Sequence, residues 1–310
     1  MKSIRSSILL LILVMSAAFI VSGCGDSGGT GGGSGGSSGG RETCTTVLSP
    51  EASGGDVRSA GSAALDVSNT SEGYLMVKYS GSAEKIKIQI TGPDGNIYTY
   101  TSKKGDYQTF PLTAGNGSYR VEILENISGT IYNMVASESV SVSISDELKP
   151  FLYPNQYVWF TADSEAVSLA QELSGKSSDD ISFVEQVYKY VTKNIKYDTA
   201  KASDVPVDYI PDIDETLATG KGICFDYASL MASMLRCQNI PTKLVVGYSG
   251  SAYHAWISVY LDEVGWVDNI IEFDGKDWSL MDPTLASNNS DKTVKQYVGD
   301  GSNYTAEFQY

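Results

Sequence analysis

The chain has 310 residues with 42% hydrophobic and 19% charged side chains, a globular balance and room for two ordinary domains. A net charge of −15 argues against nucleic acid as a partner, since polyanions are met by basic surfaces. His254 is the single histidine and the four cysteines show no C-x-x-C spacing, so multi-imidazole metal sites are excluded and no metal or other cofactor is expected.

Residues 1–23 combine Lys2 and Arg5, an apolar run from Ile8 to Val21 and the small pair Ser22-Gly23, the pattern of a secretory signal too short to span a membrane comfortably. Small residues directly before Cys24 resemble the lipobox of bacterial lipoproteins. That resemblance implies cleavage before Cys24, a diacylglycerol on its sulfur, and a mature protein held at the extracellular face of a bacterial cell membrane. Loss of Lys2 and Arg5 with the leader makes the remainder more acidic. From Gly25 to Gly40 the chain is almost wholly Gly and Ser, a flexible tether with an r.m.s. reach of about 20–25 Å. Residues 24–70 therefore read as lipid-anchored tether and connector.

Over residues 71–150 the apolar period is two. Leu75, Val77 and Tyr79 alternate with other positions, Ile86, Ile88 and Ile90 alternate with Lys85, Lys87 and Gln89, and Tyr119, Val121 and Ile123 share one face. Gly92-Pro93-Asp94-Gly95 and Gly115-Asn116-Gly117 are turns, and further strands are expected at Ile97 to Thr101, Tyr107 to Leu112 and Ile131 to Ile144. Six or seven short strands predict a small all-β, sandwich-like domain in which no residue pattern carries chemistry, so a spacer or binding role is expected of it.

Helical spacing takes over in residues 151–310. Ser164 is placed to cap a helix with Ala166, Leu169, Ala170 and Leu173 on one stripe, and Asp180 to cap a second with Val184, Val187, Tyr188, Val191 and Ile195. Beyond that second helix Pro206 and Pro211 forbid another, and Asp204, Asp208, Asp212 and Asp214 gather there without the spacing of an EF-hand loop. Gly220-Lys221-Gly222 then admits a tight entry into Phe225 to Arg236, a stretch free of Pro and Gly, so Cys224 sits at a helix start where unpaired N–H groups favour thiolate over thiol. Next come a β-rich stretch from Lys243 to Tyr248, an alternating strand with His254, Trp256, Ser258 and Tyr260 on one face, and a strand from Trp278 into Asp282.

Cys224, His254 and Asp282 thus occur in the order nucleophile, base, orienter: an imidazole takes the thiol proton and returns it to a leaving amine, while a carboxylate holds the imidazole's tautomer. Order alone does not bring them together. The stretch GKGICFDYASLMASMLRCQNIPTKLVVGY, followed by YHAWISVY and WSLMDPT, resembles the cysteine, histidine and aspartate blocks of the transglutaminase-like superfamily, a papain-related group of cysteine enzymes. The upstream VYKYVTKNIKYDTA is similar to the helix preceding the cysteine in bacterial members.

The resemblance implies an α+β core of helices packed on an antiparallel sheet, and Cys224, His254 and Asp282 as catalytic residues. It implies attack on peptide or glutamine amides through a thioacyl intermediate, with a protein or peptide substrate and either a primary amine or water as acceptor. A fold retained as a catalytically silent surface-binding protein is the alternative. GWVDNIIEFDGKDW, between the last two blocks, is long enough to add a hairpin. The Cys224 N–H is the natural first oxyanion donor, Tyr197 a candidate second, and Trp256 either walls the site or packs the sheet. Cys237 reads as core, and a disulfide to Cys44 stays open.

Overall fold

The computed structural model describes residues 40–262, 264–268, 271–273, 278–280 and 304–310. The signal segment, Cys24, the tether through residue 39 and Asp282 lie outside the described residues.

The eight strands of the N-terminal part are β1 (Val57–Ala60), β2 (Ala63–Asp66), β3 (Tyr74–Tyr79), β4 (Ile86–Thr91), β5 (Ile97–Ser102), β6 (Gln108–Pro111), β7 (Gly117–Ser128) and β8 (Ile131–Val142). They form two antiparallel four-stranded sheets in the orders β1-β2-β3-β6 and β5-β4-β7-β8. The period-two pattern becomes burial directly: Ile86, Ile88 and Ile90 are all buried while Lys87 and Gln89 are half-buried. Ile88 lies between Tyr100 of β5 and Ile123 of β7 in register, and burying each such side chain contributes about 1.5–3 kcal/mol. The turn between β4 and β5 closes with Gly95 N–H donating to Gly92 O at 3.0 Å, Gly95 taking a positive φ of 84°. Strands β1 and β2 lie inside the stretch whose composition suggests a connector. They are short and rich in Ala, and only Ala63 and Leu65 bury apolar side chains in β2, so their alternation is too brief to stand out from a loop.

The second part begins with α1 (Glu165–Ser174) and α2 (Asp180–Asn194), followed by β9 (Lys196–Tyr197), α3 (Thr199–Ser203), α4 (Ile213–Thr219), β10 (Lys221–Gly222) and α5 (Cys224–Arg236). Strands β11 (Thr242–Ser249), β12 (Ala252–Leu261), β13 (Gly265–Val267), β14 (Ile271–Phe273), β15 (Trp278–Leu280) and β16 (Tyr304–Gln309) complete it. The main sheet runs β13-β12-β11-β16, antiparallel throughout. Helix α5 packs on β11 and β12 and is itself covered by α1, α2 and α4. Every residue from Asp226 to Arg236 is buried, as befits a central helix packed on all sides, and the buried polar members Asp226, Ser229 and Arg236 each find hydrogen-bond partners. This is the α+β core expected, and β14, from the segment between the histidine and aspartate blocks, pairs antiparallel with β15, which opens the aspartate block.

Local details differ from the expectation. Ser164 occupies the cap of α1, but its hydroxyl accepts the Thr161 N–H at 3.1 Å and no helix N–H. Helix α2 is capped by Asp179, whose carboxylate accepts the Ser182 N–H at 2.7 Å, because the acid that precedes the helix, and not the first helical residue, has the extended backbone a cap needs. The alternation expected of β12 fails from Ala255 to Val259, all buried, because α5 covers one face and aromatic side chains such as Tyr304 close on the other.

Strand β16 has no counterpart among the expected elements. It joins β11 with a register shift between Val246 and Gly247. A Cβ on Gly247 would lie 2.1 Å from the Thr305 carbonyl oxygen, so only glycine lets β16 approach. Gly247→Ala is expected to push β16 from the sheet at a cost of about 2–4 kcal/mol, seen as a lower Tm; an unchanged Tm would mean that the strands part freely.

The two parts share one apolar core. Tyr100 of β5 lies 5.0 Å from Phe110, 5.7 Å from Tyr157 and 5.9 Å from Tyr310, centroid to centroid. Tyr157 in turn meets Tyr310 at 4.7 Å and Phe225, next to Cys224, at 5.4 Å. The β region therefore buttresses the start of α5 through a chain of aromatic rings.

Candidate active site

Cys224 is the first residue of α5, with Ile223 as cap. Two short elements bring Tyr197 to it. Parallel pairing of β9 with β10 sets Tyr197 opposite Gly222, held by Lys196 N–H to Gly220 O and Asp198 N–H to Gly222 O, both 2.9 Å. Tyr227 of α5 donates to the Ile195 carbonyl at 2.5 Å and ties the same turn down. Tyr197 then contacts both the Cys224 N–H and its side chain.

From the sheet side, β12 presents His254 and Ala255. The Ala255 N–H is directed at the Cys224 sulfur, as is the Phe225 N–H of the helix start. Cys224 and His254 line one cleft of about 420 Å³, together with Tyr197, Phe225, Val246 and Tyr253. Val205, Pro206, Val207 and Tyr209 also line it as a wall, so the proline-broken segment is part of the cleft.

Burial pushes the Cys224 thiol up from its ordinary value, and the Asp226 carboxylate adds to the rise; the N–H groups of Ala255, Phe225 and Cys224 itself work the other way. The N–H groups of the helix start act in the direction expected, towards thiolate, but burial outweighs them. A thiol in this state needs a base to remove its proton, and the imidazole on the same cleft is the group chemically suited to that step.

Trp256 is buried, with its ring 6.3 Å from the His254 ring and inclined at 26°, and 5.3 Å from Tyr304. Its surroundings are those of a sheet-packing residue behind the imidazole. Strand β15 stops at Leu280, and Asp282 lies outside the described residues.

Cys237 ends α5, buried and with its thiol pushed up to about 12 by burial. Cys44 is also buried, its backbone clamped by Gln238, which accepts the Cys44 N–H at 3.0 Å and donates to its carbonyl at 2.9 Å. Cys44 lies close enough to Cys237 to raise its thiol further. Three of the acids gathered around Pro206 and Pro211 are engaged separately: Asp208 accepts from Thr101, Asp212 caps α4, and Asp214, in the first turn of α4, accepts the Ala166 N–H at 3.1 Å.

A half-buried cysteine at the mouth of a central helix, sharing a cleft with a histidine of the adjoining antiparallel sheet, marks the candidate site of this α+β fold. Residues 167–269, about a third of the chain, match the sequence profile of the Transglutaminase-like superfamily. The UPF0252 protein MJ1282 of Methanocaldococcus jannaschii is 31% identical over 225 residues, covering 65% of this chain and 62% of its own length. The chain thus spans less than two thirds of that relative. Among solved structures, a provisionally assigned cysteine protease from Cytophaga hutchinsonii is similar at 17% identity and a TM-score of 0.34, covering 69% of this chain and 79% of its own. Red sea bream transglutaminase is similar at 13% identity and a TM-score of 0.28, covering 70% of this chain and 48% of its own.

Proposed function

We propose that the protein is a cysteine acyltransferase or hydrolase that attacks a peptide or glutamine amide and forms a thioacyl intermediate on Cys224. The observation that carries this reading is that Cys224 and His254 line the same cleft, with the Ala255 and Phe225 N–H groups aimed at the sulfur. In the proposed cycle, His254 removes the thiol proton as the sulfur attacks the carbonyl carbon, and the same proton is returned to the departing amine. The Cys224 N–H receives the oxyanion, with the Tyr197 hydroxyl beside it as second donor, and Asp282 orients the imidazole. A primary amine or water then takes the acyl group and regenerates the thiol. The test is a mass spectrum of the protein incubated with a glutamine-containing peptide, with and without a labelled amine: amine incorporation identifies a transamidase, free acid a hydrolase. No turnover of any amide offered would favour a surface-binding role.

The proposed location is the outer face of a bacterial membrane, through lipid on Cys24. Two acyl chains are needed for stable anchoring, a single one being marginal. Wild-type protein is expected to partition into detergent with the membranes, and Cys24→Ser to be released or to stall in processing. Membrane retention of a correctly processed Cys24→Ser protein would refute the anchor.

A further inference from the structure

The cleft wall and the Cys224 turn meet at one buried carboxylate. Asp226 lies in the first turn of α5, wholly inaccessible to solvent. Its Oδ2 accepts the Ile223 N–H at 2.8 Å and Lys201 Nζ at 2.9 Å, and its Oδ1 accepts the Tyr209 hydroxyl at 2.5 Å. Lys201 also donates to the Tyr209 oxygen, and its ammonium stands 4.3 Å from that ring's centroid. Burial, then the bond to Asp226, push the Tyr209 phenol up, so the hydroxyl keeps the proton it donates. The chain is shaped to admit this group: a Cβ on Gly222 would lie 2.7 Å from Asp226 Cβ and 3.2 Å from Oδ2.

The three donors come from three separate pieces of chain. Ile223 caps the helix that starts with Cys224, Lys201 belongs to α3, and Tyr209 belongs to the wall. The wall presents exposed apolar side chains, Val207 at 98% and Val205 at 40% exposure, so its own burial gives it little hold.

We propose that Asp226 is a positioning residue which, through Lys201 and Tyr209, pins the 204–211 wall to the Cys224 turn and sets the charge that the nucleophile's thiol experiences. The proposal rests on Cys224 being the nucleophile, but its consequences can be read without a substrate. The titratable groups facing the cluster are Lys201 of α3, Tyr209 of the wall and Tyr197 of β9. Asp212 and Glu215 act on Tyr209 from the start of α4, and His254 lines the same cleft as Cys224. Of these, Lys201 is the cation bonded to Asp226, so the pair is balanced until one member is removed.

The experiment is the pH dependence of Cys224 alkylation by iodoacetamide in the folded full chain, mapped by peptide mass spectrometry, with hydrogen exchange of residues 204–211 measured in parallel. Asp226→Asn removes an anion near the sulfur and leaves Lys201 unbalanced, so the alkylation midpoint should fall by about one pH unit. Lys201→Met leaves the anion unbalanced and should raise the midpoint by a similar amount. Tyr209→Phe keeps both charges, so the midpoint should stay while exchange in the wall quickens several-fold. A purely structural role would lower Tm in these variants with no opposite movement of the two midpoints. Should Asp226→Asn fail to fold, Lys201→Met and Tyr209→Phe decide the matter. A midpoint unmoved by Lys201→Met, or wall exchange unchanged in Tyr209→Phe, overturns the proposal. Inactivity of the wild type on every amide would count against the thioacyl reading while leaving these shifts to be measured.

Discussion

Cys224→Ala is expected to abolish acyl transfer, because no other thiol among the described residues reaches the cleft. Cys44 and Cys237 are buried elsewhere, and Cys237 is pushed up to about 12. His254→Ala should be nearly as severe. The chain has no second imidazole, and the resting thiol, raised by burial, depends on a base to lose its proton. Asp282→Asn keeps shape but loses charge, so a loss of about a hundredfold to ten-thousandfold is expected. The three would act as a unit, and Cys224→Ala/His254→Ala should therefore be little worse than either single change. The measurement is the rate of amine incorporation or amide hydrolysis by folded variants of matched Tm. Full activity in folded Cys224→Ala would rule out the thioacyl route.

Arg236→Met is expected to give the largest loss of stability, about 3–5 kcal/mol. Arg236 is 2% exposed and donates to three backbone carbonyls: Thr242 at 2.8 Å, Tyr153 at 2.9 Å and Tyr310 at 2.5 Å. Those carbonyls belong to the start of β11, the segment leading from the β region, and the residue after β16. One guanidinium therefore satisfies the backbone where three segments converge on the end of α5. Methionine keeps much of the volume but takes a donor from all three carbonyls in a buried place, the Tyr310 oxygen keeping the Leu244 N–H at 3.0 Å, and withdrawing buried partners costs more than the hydrogen bonds themselves contribute. Denaturant titration with a two-state fit measures the loss. A change under about 1 kcal/mol would mean that water reaches these carbonyls after all.

Much of the architecture is legible in local pattern. The Ile86-Ile88-Ile90 alternation, the Gly92–Gly95 turn and the breaker-free stretch after Gly222 each arise from short-range physical rules. Strand β16 also carries a period-two hint in Tyr304, Ala306 and Phe308, but its pairing with β11 bridges a long separation in sequence that no local pattern reports. In the same way, Arg41 near the tether donates to Asp180 at 2.6 Å and to Ser174 at 2.7 Å, contacts that composition alone would assign to flexible chain.

The candidate site divides along the same line. That Cys224 opens a helix, that His254 lies on a strand and that no other imidazole exists were determined by the sequence, since these are matters of local conformation and count. What only the tertiary structure decided is the environment of the sulfur. The Ala255 N–H arrives from β12 and Tyr197 from β9, while burial raises the thiol that a helix start alone would lower. The role of Asp226 belongs here too. An acid in the first turn of a helix reads as a cap, and becomes a junction only because Lys201 and Tyr209 are folded onto it from elsewhere. Desolvation and long-range pairing depend on what surrounds a residue in space, and that is a property of the packed chain and not of its neighbours in sequence.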